Sequence, residues 1–270
     1  MVNYIIRDLM IKKILIILFT TLTLTLNVNA GSDGDLILKK NEPSEIKDCF
    51  EKINRVTFAL NQTLDGVIFK PVASLYRKLP SPAKTGVSNS LDNISHLLTI
   101  PNNILQGDFK QAGINTGRFI INTTIGILGI FDVAEYLGLT NYEKEDYGQS
   151  LAKLGVGPGC YIVLPVLGPS TIRDTLASTF NYMGGDPWYN VTINNDTRYF
   201  KNSDYYYSKG ASGVDFRAKN YDSIENLEKN SLDFYASVKS LYLQDRQQKI
   251  LNSRKIINTQ DDSDWEEITQ

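Results

Sequence analysis

A single histidine, His96, is the only side chain here that ordinarily titrates near neutral pH, so catalysis by a histidine pair is excluded. His96 stands in a helical pattern beside Leu97 and Leu98, where a structural role is expected. One histidine and two cysteines fall short of the usual zinc ligands, and no metal or other cofactor is expected. Neither GPSTI at 168–172 nor GVSNS at 86–90 forms the G-x-S-x-G nucleophile elbow. The glycines of GVGPG at 155–159 are not followed by the Lys and Ser/Thr of a phosphate loop, and Pro158 removes an N–H that such a cradle needs. With no catalytic set left, the chain is not expected to be an enzyme. Export would permit a disulfide between Cys49 and Cys160, but two cysteines make a poor framework, and two unpaired, half-buried thiols are the reading favoured here.

An excess of basic charge is also missing. Residues 1–30 hold Arg7, Lys12, Lys13 and Asp8; without them the 28 basic and 30 acidic groups fall to 25 and 29, a net charge of −4. That balance has no electrostatic footprint for nucleic acid. The apolar or hydroxylic run at 14–26 is shorter than the roughly 20 residues a spanning helix needs. With basic residues before it and Val28-Asn29-Ala30 after it, the run reads as a signal peptide over 1–30. Residues 31–43 are polar and expected to be disordered, 44–257 form one helical domain, and 258–270 form a disordered acidic tail.

What is present in strength is the stretch 154–172, LGVGPGCYIVLPVLGPSTI, which has no charged residue. Its glycines and prolines, among them Gly157, Gly159, Pro165 and Gly168, deny it a regular helix. An apolar segment that cannot satisfy its own backbone must be wrapped by other elements, or presented to a partner or to lipid. Packing as a buried loop of an ordinary helical domain is the alternative. Arg173-Asp174 follows at once; as neighbours in a helix they should not face each other, and each should pair with charges elsewhere.

Along the chain the pattern is helical throughout, without convincing alternation for a sheet. A helix runs from Ser44 on Ile46, Phe50, Ile53, Phe58, Leu60 and Leu64, broken at Asp65-Gly66. A second spans 67–79. Asp92 is expected to cap a third and Asp108 a fourth. The run 119–134, FIINTTIGILGIFDVA, is too short to span a bilayer and reads as core, re-entrant or interfacial. Residues 142–149 read as a surface segment, Ser170 or Thr171 as the cap of a helix through Phe180, and 190–207 as an extended loop. A long amphipathic helix is expected from Val214 to about Ile250.

Several stretches together resemble the MlaA (VacJ) family of bacterial outer-membrane proteins. They are FEKINRVTFALN at 50–61 with Leu64-Asp65, KPVA at 70–73, GVSN at 86–89, LQG at 105–107, TGRFIINT at 116–123 and GIFDVA at 129–134. DYGQSL at 146–151, GVGPG at 155–159, LPVLGPSTIRD at 164–174 and SLYLQDR at 240–246 continue the likeness over nearly the whole exported chain. The resemblance implies an all-α single domain, a ring of amphipathic helices around a central channel, with irregular Gly/Pro segments. It implies a place in the inner leaflet of the outer membrane beside a trimeric porin. Phospholipid astray in the outer leaflet would pass through to a periplasmic lipid-carrier protein, which would maintain lipid asymmetry. A mobile hairpin at about 124–139 would gate the path, with Gly126 and Gly129 as hinges and Leu128, Ile130, Phe131 and Val133 lining it. Asn54, Arg55, Phe58 and Asn61 match the family's N-terminal helix, where capping or helix-to-helix hydrogen bonds would account for them. The likeness departs at the lipobox cysteine, since Ala30 is followed by Gly31-Ser32, and at Cys49 and Cys160, where the family commonly has proline. A non-transporting structural or adhesive partner of an outer-membrane barrel is the competing reading.

Overall fold

The computed structural model describes residues 46–140, 142–194 and 199–266, with no side-chain account of Asn194 or of 252–266. The signal peptide, the polar segment that follows it and the last residues of the tail lie outside the described residues. The body is all-α, as the sequence pattern implied, with one small hairpin. In order the elements are α1 (Glu51–Leu64), a π-helical turn (Asp65–Phe69), α2 (Lys70–Arg77), α3 (Ser81–Leu105), α4 (Phe109–Thr124), α5 (Val133–Tyr136) and α6 (Tyr147–Lys153). Strands β1 (Tyr161–Leu164) and β2 (Gly168–Thr171) come next, then α7 (Ile172–Phe180) and α8 (Pro187–Tyr189) between two further π-helical turns. The chain ends in α9 (Asn202–Lys219), α10 (Tyr221–Asn230) and α11 (Phe234–Glu266).

The contacts among these elements close on themselves. α1 continues through its π-turn into α2; α2 packs on α9, α9 on α3, and α3 on α6. α6 meets α7 and α11, both of which touch β2; β2 pairs with β1, and β1 returns to α1. The hairpin is antiparallel, with Tyr161 opposite Thr171 and Leu164 opposite Gly168.

Several boundaries differ from those read in the sequence, each for a local reason. Residues 46–50 do not begin α1; they run beside the hairpin, where Lys47 accepts from the Tyr161 N–H at 2.9 Å. Gly66 does not break the helix, because the wider π-turn absorbs it and hands the Asp65 carbonyl to the Lys70 N–H. Asp92 caps nothing: α3 runs from Ser81 through Asp92 and past Pro101 without interruption. The expected loop at 190–207 is helical at both ends, and the expected single helix from Val214 is three, interrupted at Asn220 and at 231–233. α11 contains neither Gly nor Pro and runs from Phe234 to Glu266. The hairpin itself was missed because β2 is GPST, a sequence with no strand pattern. The local caps are as expected: Asp108 accepts from the Gln111 N–H at 2.9 Å, and Thr171 from the Asp174 N–H at 3.2 Å.

The two cysteines are not free thiols. Cys49 and Cys160 form a disulfide across 111 residues, tying the entry to α1 to the start of the hairpin. The sequence argument from a poor framework failed because one bridge suffices where two segments already meet. Cross-linking a loop of this length restricts the unfolded chain by an amount worth about 4 kcal/mol. Thermal unfolding with and without reductant checks this. The oxidised protein should melt several degrees higher, and C49S should melt like the reduced form whether or not reductant is present.

Candidate functional site

The helices bury the wrong residues for a body surrounded by water. Asn54, Asn93, Asn102, Asn103, Asn115 and Asn122 are all buried, with Arg118, Arg173 and Arg217. The buried apolar side chains are mostly alanines, joined by Tyr161, Val163, Tyr205, Tyr235 and Ile250. Large apolar residues face outward along α1 and α2: Ile53, Val56 and Leu60, then Val67, Ile68, Val72, Leu75 and Leu79, with Val56 and Val67 both 72% exposed. Charges and amides do not stay buried unless paired, and the partners here are specific.

Asn54 and Asn61 grip the open edge of β1. Asn54 donates to the Tyr161 carbonyl at 3.1 Å and accepts from the Val163 N–H at 2.9 Å. Asn61, two turns on, repeats this with the Leu164 carbonyl at 2.9 Å and the Val166 N–H at 2.8 Å. Each side-chain amide thus stands in for a neighbouring strand's peptide, bonding helix to strand rather than helix to helix. Beside them Arg55 pairs with Asp233 at 2.7 Å and lies over the Tyr235 ring, 4.4 Å from its centroid. Phe58 packs edge-on against Phe234 and Tyr235.

A cavity of about 330 Å³ opens between the hairpin, α6, α7, α9 and α11. Leu164, Leu167 and Pro169 supply an apolar wall; Lys209, Tyr205, Tyr242, Asp146, Asp174 and Arg246 supply a polar one. Arg246 from α11 donates to both carboxylates, at 2.6 and 2.7 Å to Asp146 and at 2.9 and 3.0 Å to Asp174. Tyr242 also donates to Asp174, at 2.9 Å. Burial alone would raise both carboxyls, but the hydrogen bonds from Arg246 hold Asp146 and Asp174 below the ordinary range. Arg173 and Asp174 do face each other after all, at 2.9 Å. The guanidinium also lies 3.5 Å from the Val156 carbonyl. Of the Gly/Pro stretch, Val166 and Gly168 take φ of +66° and +81° at the hairpin turn around Pro165, and Gly159 takes +69° before β1 begins. Gly157 has open space around it.

The gate candidates form a different site. Residues 125–132 fold as a tight loop on α3 and α4 and are not among those lining the cavity. Ile127 and Leu128 hold φ of +53° and +57°, uncommon for non-glycine residues and strained for the β-branched one. A Cβ at Gly126 would strike the Phe131 carbonyl, and one at Gly129 would strike Asn93. Leu128, Ile130 and Phe131 stand exposed at the tip, with Val133 half-covered in α5. Asp132 anchors the base: Arg118 pairs with it at 2.6 Å, and Asn122 donates to it at 2.9 Å. Arg118 also donates to the Leu139 carbonyl. Asn89 from α3 holds the Ile130 carbonyl at 3.1 Å.

Sequence reasoning missed the polar network that joins the C-terminal end of α3 to α6 and the residues just before it. Segment 142–149, read as surface, is drawn inward: Glu145 and Gln149 are buried, and Gln106 donates to Glu145 at 2.7 Å and to Ser150 at 3.2 Å. Burial lifts the Glu145 carboxyl to about 7, helped by Asp146 and Glu143 and opposed by Gln106. Burial likewise depresses His96 to about 4, with Arg118 adding to the effect. The larger cause in both, burial, comes from packing that the local sequence does not mark, although Asp146 and Glu143 are Glu145's own neighbours.

The chain matches the model of the MlaA lipoprotein family over residues 46–249. A protein of Rickettsia bellii is 36% identical over 208 residues, covering 76% of this chain and 78% of that one. The intermembrane phospholipid transport system lipoprotein MlaA of Haemophilus influenzae is 27% identical over 264 residues, covering 93% and 94% of the two chains. A chain solved in work on the maintenance of bacterial outer-membrane lipid asymmetry superposes with a TM-score of 0.61 at 31% identity. That superposition covers 76% of this chain and 99% of the other.

Two measurements probe the buried charges. Replacing Arg246 with Met strips Asp146 of its cation and leaves Asp174 to Arg173 alone, and should cost about 3–5 kcal/mol in urea unfolding. Glu145 has its folded pKa raised above 4.5, so its contribution is complete at low pH and is lost as pH rises through about 7. His96, depressed from 6.5 to about 4, contributes above its unfolded value and loses that contribution as pH falls. E145Q should therefore gain stability over the wild type as pH is raised from about 5 to about 8; a difference that does not change with pH would contradict this.

Proposed function

The chain belongs to the MlaA family of lipoproteins, and from that premise we propose that it removes phospholipid from the outer leaflet of the outer membrane toward a periplasmic lipid carrier. In this reading the body lies in the inner leaflet beside an outer-membrane porin, and no covalent chemistry takes place. The observation that carries the reading is the outward set of apolar side chains on α1 and α2 around a polar interior. Bulk water would penalise that distribution, whereas acyl chains accept it. Among the described residues no helix is long and apolar enough to cross a membrane, which suits a body sunk into one leaflet.

The cavity between the hairpin and α11 has the two-sided wall a phospholipid needs. Leu164, Leu167 and Pro169 would face acyl chains, and Lys209, Tyr205 and Tyr182 would face the headgroup. Arg246 adds little to headgroup capture, because its donors are already taken by the two carboxylates. The loop at 125–132 is the proposed gate. Its strained Ile127 and Leu128 store energy that a second arrangement would release, while Asp132 keeps its base fixed. Gly126 and Gly129 would act as the hinge. The closed circuit of contacts would supply the ring, and the signal peptide at 1–30 the route of export.

Deleting the gene and assaying outer-leaflet phospholipid is the direct test. Surface phospholipid should rise several-fold, and complementation should reverse it; unchanged asymmetry would leave the chain as a non-transporting partner of a porin. F131D, confirmed as folded by its melting temperature, should leave asymmetry impaired. Normal asymmetry in that variant would remove the loop from the path.

A further inference from the structure

One face of α3 carries only polar side chains over its first two turns. Ser81, Lys84, Thr85, Ser88 and Asn89 recur at three- and four-residue steps, so they share one stripe. The stripe lines a second cavity, of about 290 Å³, closed on its other sides by α2 and α9. The cations at this cavity are not equivalent. Arg77 is committed to Asp222 at 2.7 Å, and Lys219 to Asp215 at 2.8 Å and to the Ser88 hydroxyl. Asp215 is in turn held by the Tyr76 hydroxyl at 3.0 Å. Lys84 is half-buried and, among the described residues, pairs with no carboxylate and donates only to the Arg77 carbonyl, at 3.2 Å. An ammonium taken partly out of water with donors to spare favours an anion beside it. The helix that gives Tyr76 and Arg77 to the cavity, α2, also exposes Val72 and Leu75, with Leu79 exposed just past its end.

We propose that this cavity is a binding site for the phosphate group of a phospholipid, with Lys84 as the charge contact and Ser81 and Thr85 as hydroxyl donors. The apolar face of α2 takes the acyl chains of the same molecule. The site is separate from the cavity at Arg246, shares no lining residue with it, and stands whether or not that cavity carries lipid. A phosphodiester suits it better than a carboxylate, because Lys84, Ser81 and Thr85 approach from one side of the cavity and a tetrahedral anion can accept from all three. The far end of the stripe also touches the loop at 125–132: Asn89 holds the Ile130 carbonyl, and Gly86 lets Ile130 approach, since a Cβ there would lie 3.1 Å from its Cγ2. A lipid seated here therefore shares Asn89 with the contacts that hold the loop.

The test is hydrogen exchange on the purified full chain in detergent, with dihexanoylphosphatidylglycerol as one probe and inorganic phosphate as the other. The lipid should slow exchange of the amides at 81–89, and native mass spectrometry should show it retained. K84Q should weaken that lipid binding about tenfold, as expected for loss of a charge-assisted contact, while K84R retains most of it. Unchanged melting temperatures show that the variants fold; if K84Q does not fold, the S81A/T85A pair carries the same prediction. Lipid protection that survives K84Q, or inorganic phosphate protecting 81–89 as well as the lipid does at equal concentration, would overturn the assignment. Lipid protection at 81–89 that K84Q abolishes, alongside normal asymmetry in F131D, would sink the gate while leaving this site standing.

Discussion

Side-chain amides, rather than large apolar side chains, fill the contact faces of these helices, and that substitution constrains everything else. A helix pair joined through Asn93 and Thr123 or through Asn103 and Asn115 gains little from excluding water. Its stability depends on its donors and acceptors finding partners, though the buried Asn93 Oδ1 finds none among the described residues. The partners are therefore matched two by two: Asn54 and Asn61 with the strand edge, Asn122 with Asp132 and the Ala134 N–H, Asn115 with Asn103. The small residues Ala73, Ala112 and Ala134 let the backbones close to the distance those bonds require. This is the packing expected where the surroundings are as apolar as the side chains.

Charge plays the same part at the seams. Arg246 joins α11 to α6 and α7 through Asp146 and Asp174. Arg217 joins α9 to Asp65 and to Glu225 on α10, and Arg118 joins α4 to the base of the loop. Each guanidinium is itself well buried and meets a carboxylate from a distant part of the chain, so each acts as a locator for elements that the hydrophobic effect does not press together. Replacing any of these pairs by apolar groups could preserve stability; what the pairs add is register between helices that would otherwise slide. Around this fixed frame the loop at 125–132 and the hairpin tip at Val166 are the places where the backbone departs from its preferred regions.

How much of this could be read from the sequence depended on distance along the chain. The caps at Asp108 and Thr171 were legible because a cap and the N–H it binds lie three residues apart. The refusal of 154–172 to form a helix was legible from its own glycines and prolines. Gly66 and Asp92 misled for the same local reason: a breaker or a capping residue signals an end only if the neighbouring geometry uses it, and a π-turn or an unbroken helix need not. The disulfide, the strand-gripping roles of Asn54 and Asn61 and the burial of Glu145 were illegible, since each joins residues far apart in sequence. Periodicity showed that Ile53, Phe58 and Leu60 belong to a helix. It could not show which medium that helix would meet, and the outward placement of Val56, Val67 and Leu75 became visible only in three dimensions.

That placement is the claim on which the functional account stands, and the accessibility of spin labels measures it directly. Nitroxides placed at Val56, Val67 and Leu75 in the protein reconstituted in phospholipid bilayers should collide readily with oxygen, which concentrates in the acyl region, and poorly with a water-soluble nickel chelate. A label on exposed Lys249 of α11 serves as the aqueous reference. Oxygen-dominated relaxation at all three positions is the predicted result; chelate-dominated relaxation, matching that at Lys249, would contradict it and return α1 and α2 to water.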